Sequence, residues 1–250
     1  MRRLNNEFNK NINLWESLGK SDPLWGILTD KRMKNNKWDK DNFFNTGLVE
    51  INQLINNLEL LGIRKEMEVV LDFGCGVGRL TKHLSLKFKQ VLAFDISYNM
   101  LKTAKDHNKG LQNALFIQSY SRQLASIKAN KINLIISLIT FQHIPTYLQL
   151  EYLSGFARVL SNEGIIFLQV VHGFTFNPKG ILLYFFGNNL LKINQKLRYN
   201  LEYPIKIYTL KKQTFYNALS KNKMEILQKE KSNSTGNAFK SYIYILRIKK

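Results

Sequence analysis

The segment from Val69 to Leu80 constrains the fold of this chain more than any other feature. An apolar run at 69–71 is followed by Asp72, by glycines at positions 74, 76 and 78, and by a helix-like segment that begins at Leu80. A buried strand, a glycine-rich turn and a helix in this order are typical of the ligand-binding loop of an α/β sheet. Glycine allows positive φ and lets the backbone pass close to a ligand. The spacing, GxGxG, differs from the GxGxxG of dinucleotide-binding loops.

The rest of the central sequence alternates between strand-like and helix-like segments. The further predicted strands are residues 91–94, 115–117, 132–139 and 165–171. The predicted helices are residues 80–88, a helix capped by Ser97 that runs to about His107, and a helix from Pro145 towards Leu160. Such alternation predicts an α/β fold, with a doubly wound, Rossmann-like parallel sheet and right-handed crossovers.

The two ends of the chain depart from this alternation. Residues 1–62 are expected to form an N-terminal helical cap, with a helix that opens near Asn45 and has Gly62 as its C-cap. Residues 63–250 are expected to form the main domain, in which residues 173–209 are a lid-like insertion after the fifth strand. A helix at about 211–221 and two strand-like runs, 224–228 and 241–248, close the chain.

Charge is unevenly distributed along the chain. Of the formal net charge of +19, residues 171–250 contribute +12, from 15 Lys and Arg against 3 Asp and Glu. A basic region attracts phosphate, nucleic acid or an anionic membrane. The abundance of Asn, Lys and Ile throughout the chain also fits the codon bias of an AT-rich genome. Lysine rather than arginine supplies the excess, which disfavours specific reading of nucleic acid.

Composition also bears on the compartment. Cys75 is the only cysteine, so the sequence offers no disulfide framework and fits a reducing compartment. No apolar run reaches the roughly 18 residues of a membrane span, and polar sequence rather than an apolar signal follows Met1. Cys and His residues do not show metal-ligand spacing, so we expect no metal site. A cytoplasmic protein is the expectation.

A second acidic residue, Asp95, stands where doubly wound folds bind a nucleotide. It ends the second predicted strand, and a carboxylate there accepts hydrogen bonds from ribose hydroxyls. The alternatives are that Asp95 caps the following helix and that the glycine turn is purely structural. The combination of loop, carboxylate and strand order favours a nucleotide site.

Three segments resemble successive motifs of class I S-adenosylmethionine-dependent methyltransferases. They are Asp72-Phe-Gly-Cys-Gly-Val-Gly78, Ala93-Phe-Asp-Ile-Ser97 and Ala157-Arg-Val-Leu-Ser-Asn-Glu-Gly-Ile-Ile-Phe167. Residues 22–25, 37–39, 43–47 and 141–145 resemble a bacterial subgroup of that superfamily. The resemblance implies a seven-stranded sheet with an antiparallel last strand, S-adenosylmethionine as the cofactor, and methyl transfer as the reaction.

The resemblance also implies roles for individual residues. The cofactor-binding candidates follow the first four strands, and are Asp72, Gly74, Cys75, Gly76, Gly78, Asp95, Ile96, Met100, Ser119 and Ser137. The first carboxylate and the glycine loop would hold the methionine end, the second carboxylate would bind the ribose hydroxyls, and the two apolar residues after it would flank the adenine. Cys75 is interpreted as a small packing residue of the loop, not as a nucleophile.

Methyl transfer needs an aligned acceptor, exclusion of water and, for weak nucleophiles, removal of a proton. His143, after the fourth strand, and His172, after the fifth, are the candidate general bases. The alternative for His143 is a side chain that hydrogen-bonds backbone and shapes its loop. The substrate-binding candidates are Trp25, Trp38, Phe44 and Gln142. For the aromatic residues, packing of the N-terminal helices is the alternative.

The sequence therefore predicts a methyltransferase acting on a small-molecule, glycan or lipid-linked acceptor. The alternatives are an RNA methyltransferase that uses the basic C-terminal third, and a non-catalytic protein that binds S-adenosylmethionine and acts as an interaction module. Nucleic acid is the less favoured partner, because no Asn-Pro-Pro-Tyr-type segment follows the fourth strand. The insertion, apolar at 181–186 and flanked by lysines, has three interpretations: a helix packed on the sheet, a lid over the acceptor site, or a segment in contact with an anionic membrane.

Overall fold

The computed structural model describes residues 2–63, 68–201 and 203–249. Within these ranges, seven strands form one sheet with helices on both faces. The strands are β1 (Val69–Phe73), β2 (Gln90–Asp95), β3 (Ala114–Gln118), β4 (Ile132–Ser137), β5 (Leu160–Phe174), β6 (Met224–Ser232) and β7 (Phe239–Ile248). The helices are α1 (Arg2–Ser21), α2 (Pro23–Ile27), α3 (Lys40–Leu60), α4 (Thr81–Leu84), α5 (Tyr98–His107), α6 (Thr146–Val159), α7 (Pro178–Tyr199) and α8 (Lys212–Lys221). Met1, residues 64–67, Glu202 and Lys250 belong to the predicted domains but lie outside the described residues.

The strand order confirms the predicted doubly wound sheet. The order is β3-β2-β1-β4-β5-β7-β6, and the first five strands in sequence pair in parallel. β7 runs antiparallel to both of its neighbours, as the resemblance implied. The chain crosses from one half of the sheet to the other between β3 and β4, so the carboxyl ends of β1 and β4 flank the topological switch point, where such sheets bind ligands.

Apolar residues on both sides of the central strands explain why the sheet is covered on both faces. Val70 of β1 lies in one cluster with Ile51 and Leu54 of α3. Its neighbour Leu71 lies in the opposite cluster, with Phe156 of α6. Successive side chains of a strand point to opposite faces, so a strand that is apolar at every position needs a helical layer on each side.

Some helix and strand boundaries differ from those predicted. The helix predicted to open near Asn45 begins at Lys40, because the Asp39 carboxylate accepts a hydrogen bond from the Asn42 amide and caps it there. Gly62, with φ of +69°, follows the end of this helix, as predicted. The helix after the glycine loop is shorter than predicted, since it ends at Leu84. β5 is longer than predicted, because it pairs with β7 as far as Phe174.

The insertion after β5 contains a long helix rather than an open loop. The Asn177 side chain caps α7 by accepting a hydrogen bond from the Gly180 amide. Gly187, at φ 53° and ψ −144°, breaks the helix into two halves at a kink. Residues 203–210 follow as an extended strap, held by a hydrogen bond from the Leu210 amide to the Val171 carbonyl, 2.8 Å long.

The N-terminal helices pack against the sheet domain rather than standing apart from it. Glu16 of α1 accepts hydrogen bonds from the Tyr98 and Asn99 amides, at 2.7 and 3.0 Å, and so caps α5. A carboxylate at a helix N-terminus is favourable because it meets free N–H groups and the positive end of the helix dipole. The division into a cap and a main domain stays a prediction. None of the helices in the described ranges has the length and apolar character needed to cross a lipid bilayer.

Candidate active site

A pocket lies at the carboxyl ends of β1, β2 and β4. It takes in about 1000 Å³ of space, partly open to solvent. Its floor consists of residues from the ends of these strands and the loops that follow them. The sequence-predicted cofactor residues that line it are Asp72, Gly74, Cys75, Gly76, Asp95, Ile96, Met100 and Ser119. The structure thus brings together residues from four separate segments of the chain.

The glycine loop is held against the end of β2. The amides of Gly74 and Cys75 both donate to the Phe94 carbonyl, at 2.8 and 2.9 Å. Gly76 has φ of +54°, and a Cβ atom there would lie 2.5 Å from the Cδ1 atom of Ile27. Positive φ and the approach of α2 together explain why this position is glycine.

Asp95 joins this loop to the start of α5. Its Oδ2 atom accepts from the Gly76 amide at 2.9 Å, and its Oδ1 atom accepts from the Ser97 amide at 2.8 Å. Burial raises the pKa of Asp95 to about 6, although the hydrogen bonds from Ser97 and Gly76 act in the opposite direction. Ser97 itself caps α5, accepting from the Met100 amide, so Asp95 is not the side chain that caps this helix.

Asp72 is the second carboxylate of the pocket. It is buried, and it accepts a hydrogen bond from the Thr81 hydroxyl at 2.6 Å. Burial raises its pKa to about 6, while the Thr81 hydroxyl and the charge of Arg79 lower it. Cys75 of the glycine loop is buried. Burial raises the pKa of its thiol, so the thiol stays protonated. A protonated, buried thiol fits the packing role predicted for it.

Helix α1 forms part of the wall of the pocket, which the sequence did not predict. Phe8, Asn11 and Trp15 line the pocket from this helix. The Asn11 side chain donates to the His143 carbonyl at 3.0 Å, across 132 positions of sequence. The Trp15 ring meets the His143 ring edge-on, with 5.3 Å between the centroids. In the sequence, the available sign of this role was an aromatic residue, Trp15, on an amphipathic helix. The sequence around Trp15 does not show which surface of the protein that helix packs against.

His143 lines the pocket and is buried. Its Nδ1 atom lies 2.7 Å from the Lys206 carbonyl oxygen, and its Nε2 atom lies 3.1 Å from Nε2 of Gln142. A carbonyl only accepts, so Nδ1 carries the proton and Nε2 keeps a lone pair, to which the Gln142 amide donates. Burial lowers the pKa of His143 to about 4. The ring is therefore neutral near pH 7, and it also ties the strap to the loop after β4.

His172 lies outside the residues that form the pocket. Its Nδ1 atom lies 2.7 Å from the Leu210 carbonyl oxygen, and its Nε2 atom lies 2.6 Å from the Tyr244 hydroxyl. Burial lowers its pKa. One ring nitrogen of His172 is engaged by the strap and the other by β7. The catalytic role predicted for His172 therefore has no geometric support.

Six other candidate residues also lie outside the pocket lining. They are Gly78, Ser137, Trp25, Trp38, Phe44 and Gln142. Trp25 and Trp38 donate their indole N–H groups to the carbonyls of Asp30 and Leu28, and they pack in the cluster that holds the N-terminal helices together. The aromatic candidates therefore take part in the packing of the N-terminal helices, which was the alternative given for them. Gln142 does not line the pocket itself, but its side-chain amide contacts the ring of His143, which does.

Other pocket residues were not among the predicted site residues. The loop after β4 contributes Leu138, Ile139, Thr140 and Ile144, the turn before α4 contributes Arg79 and Leu80, and α6 contributes Tyr152. Arg79 is buried and paired with Glu50 of α3, its Nη2 atom 2.8 Å from the carboxylate. Among the described residues, no group of three or more His, Cys, Asp and Glu is placed to hold a metal ion.

Comparisons with known proteins agree with the fold, and the range matched by a family model includes the glycine loop. Residues 70–164 match the family model described as methyltransferase domain. An S-adenosylmethionine-dependent methyltransferase from Leishmania major is 15% identical, with a TM-score of 0.66 over 96% of this chain and 83% of that chain. Magnesium protoporphyrin IX methyltransferase from Synechocystis, solved with bound SAH, is 19% identical, with a TM-score of 0.65 over 97% of this chain and 100% of that chain. At such identities the structural likeness shows the fold alone. No curated protein matches the sequence.

Proposed function

We propose that this chain, a class I methyltransferase by its fold and by its methyltransferase domain, binds S-adenosylmethionine and methylates a small-molecule, glycan or lipid-linked acceptor. One observation carries the proposal. The glycine loop and Asp95, joined by the bond from the Gly76 amide, form one side of a pocket at the switch point of the sheet. Such a carboxylate beside a tight backbone turn suits a ribose and its attached groups.

The donor set of the pocket fits the parts of this cofactor. Asp95 keeps lone pairs for the ribose hydroxyls, since its two carboxylate oxygens together offer about four acceptor sites and the Gly76 and Ser97 amides occupy one on each oxygen. Met100 and Ile96 offer apolar surface for a flat purine. Asp72 and the glycine loop lie beside them, and the Asp72 carboxylate suits the cationic amino group of the cofactor's amino acid end. When bound, the cofactor supplies an electrophilic methyl group on a sulfonium sulfur.

The chain's own residues would orient the acceptor and keep water away. Phe8 and Trp15 of α1 and Ile144 of the loop after β4 bring apolar surface to the pocket. Exclusion of water strengthens electrostatic interactions within the site and prevents side reactions. A recessed pocket with apolar walls favours an acceptor group small enough to enter, or one carried on a flexible chain, over a base held in a folded RNA.

His143 is the residue that we propose to take a proton from the acceptor. Its neutral ring and the lone pair on Nε2 allow this, and the bond from Nδ1 to the Lys206 carbonyl fixes the tautomer. The Gln142 amide occupies the lone pair in the free protein, so it must turn away when an acceptor binds. A low pKa makes His143 a weak base, which suits acceptors whose proton is already acidic.

Two measurements test the proposal. Isothermal titration calorimetry with S-adenosylmethionine, with its demethylated product and with NAD should show binding of the first two only. Binding of NAD alone would overturn it. Incubation of the protein with radiolabelled S-adenosylmethionine and a fractionated cell extract should then label a low-molecular-weight, glycan or lipid fraction, and treatment with ribonuclease should leave that label unchanged. If the labelled fraction were RNA, and ribonuclease removed the label, the acceptor would be RNA instead. Cofactor binding without label in any fraction would favour a non-catalytic binding protein.

A further inference from the structure

Helix α7 presents large apolar side chains to solvent in both of its halves. They are Ile181, Leu182, Tyr184, Phe185 and Phe186 before the kink at Gly187, and Ile193 and Leu197 after it, of which Phe185 and Leu197 are 74% and 82% exposed. Scattered exposed apolar residues are ordinary, but this many on one helix mark a site of interaction. We call this set the α7 face.

Part of the α7 face lies opposite to the side that holds the helix to the protein, and Tyr184, at its edge, contacts the ring of Phe174. In the first half, Leu183 is buried with Val171 and Phe239, and the helical period of 100° per residue places Ile181 and Phe185 on the other side. The first half of α7 therefore has apolar side chains both on the side that packs against the protein and on the side that faces solvent.

The second half, beyond the kink at Gly187, repeats this arrangement. Gln195 exchanges two hydrogen bonds with the backbone of Ile205, and the Tyr199 ring packs on Trp25 at 4.9 Å between centroids. Ile193 and Leu197 lie on the opposite side of these inward residues. The fold thus accounts for the packed side of α7 and leaves its apolar face unexplained.

The charges that α7 itself carries are all of one sign. The sequence has no acidic residue between Glu163 and Glu202, while Lys179, Lys192, Lys196 and Arg198 lie on α7. The lysines at 179, 192 and 196 and Arg198 are all exposed. Apolar side chains flanked by cations match the boundary between acyl chains and anionic headgroups. A second copy is a poor match, because a symmetric pair would bring the same cations together with no carboxylate from α7 to neutralise them.

We propose that α7 lies on the surface of an anionic phospholipid bilayer. Phe185 and its apolar neighbours enter the boundary between headgroups and acyl chains, and Lys192 and Lys196 bind lipid phosphates. Lipid binding itself does not depend on the proposed methyl transfer. One consequence does rest on it: Tyr199 and the strap connect α7 to Trp25 and His143, so a bound membrane would lie near the pocket and favour a lipid-linked acceptor.

Vesicle sedimentation with the full chain tests the proposal without cofactor. The protein should sediment with vesicles of equal parts phosphatidylglycerol and phosphatidylcholine at low salt. It should stay in solution with pure phosphatidylcholine, and added salt should weaken the binding by screening. Absence of sedimentation with the anionic vesicles at low salt would overturn the proposal, whatever the outcome of the cofactor titrations.

Two pairs of surface substitutions separate the charge from the apolar contribution. Lys192→Gln with Lys196→Gln should lower the partition coefficient by about 30-fold, since each cation near the surface contributes roughly fivefold. Phe185→Ser with Leu197→Ser should lower it by at least about tenfold through lost apolar contact. Both pairs lie on exposed positions, so the fold should tolerate them.

Matched substitutions elsewhere control for general charge and hydrophobicity. Lys102→Gln with Lys105→Gln removes two exposed lysines of α5, and Leu60→Ser with Leu86→Ser removes two exposed leucines. These pairs should change vesicle binding by less than about twofold. Equal losses in the control and α7 pairs would overturn the assignment to α7. So would a concentration-dependent dimer in sedimentation velocity that the Phe185→Ser, Leu197→Ser protein no longer forms.

Discussion

Asp95 and Gly76 are joined at one side of the pocket by a hydrogen bond of 2.9 Å, from the glycine amide to the carboxylate Oδ2 atom. This bond fixes the glycine loop after β1 relative to the end of β2, so that two segments of the predicted nucleotide site move as one. The same carboxylate also accepts from the Ser97 amide and so orders the start of α5. A substitution at Asp95 should therefore weaken ligand binding more than a substitution at any other single residue of the pocket.

Replacement of Asp95 by Ala should weaken S-adenosylmethionine binding by about 1–3 kcal/mol, because hydrogen bonds to a charged acceptor are lost. Calorimetry at pH 7.5 would measure this change. Asp106→Ala is the matched control, since Asp106 is on the exposed side of α5 and forms only a 3.6 Å ion pair with Lys109. Equal affinities of the two variants would show that the ribose does not bind at Asp95.

Cofactor affinity should fall as the pH is lowered through about 6. Burial raises the pKa of Asp72 and of Asp95 to about 6, so both lose their negative charge below that value. The sign follows from the charge: a carboxylate attracts a cationic ligand and accepts its hydrogen bonds, and a neutral carboxyl group does so less well. Calorimetry between pH 5 and 8 would show the change. Asp95→Asn should have a shallower dependence, and a wild-type affinity that rises on acidification would contradict the assignment.

Loss of His143 should lower turnover much more than cofactor affinity. Removal of a general base typically costs about 10²–10⁴-fold in rate, so His143→Ala should fall in that range once a labelled acceptor fraction is in hand. At saturating cofactor, the rate should not decline through pH 6.5, because burial lowers the pKa of His143 to about 4.

A second substitution separates a chemical from a structural role for His143. Asn can keep a donor near the Lys206 carbonyl that Nδ1 contacts, but it offers no lone pair in the place of Nε2. If His143 takes the proton, His143→Asn should be as slow as His143→Ala. Near wild-type turnover in His143→Asn would reduce His143 to a residue that positions the strap.

Gly47 should be intolerant of even one methyl group. A Cβ atom there would lie 2.4 Å from the backbone oxygen of Arg79, which cannot move without shifting the loop that enters α4. Overpacking of this kind costs about 1–3 kcal/mol, measurable by urea denaturation. Gly110→Ala is the control, because its added Cβ would meet no atom within 4 Å. Its free energy of unfolding should change by less than about 1 kcal/mol, and an unaffected Gly47→Ala protein would show that α3 is not docked on the loop.

The sequence contained enough to predict the central sheet and the floor of the pocket. The strand at 69–73, the glycine loop and the Ser97 cap are local features, each decided by residues within a few positions of one another. The antiparallel closing strand entered through the resemblance to methyltransferases, and the structure confirms it. The start of α3 was wrong by one turn or more, because Asp39 competes as a cap with the later polar residues.

The wall of the pocket was not predictable in the same way. Trp15 and Asn11 reach His143 only because α1 packs against α5 and the loop after β4, and the contact from Asn11 spans 132 positions. The same is true of α7, whose apolar residues were visible in the sequence but whose buried and exposed sides were not. Trp25 and Phe44 could fill either a pocket or a core by their chemistry alone, and the structure buries both in packing clusters.

Sequence by itself thus determined the elements with a local cause: strands by their apolar runs, turns by glycine, and helix starts by capping side chains. Tertiary structure decided which faces meet, and therefore that α1 covers the site, that His172 points away from it towards Tyr244, and that Leu183 rather than Phe185 is buried on α7. The physical reason is that burial is a property of pairs of surfaces. An apolar side chain gains the same free energy against any close-packed partner, so its partner is fixed only when the whole chain has been packed.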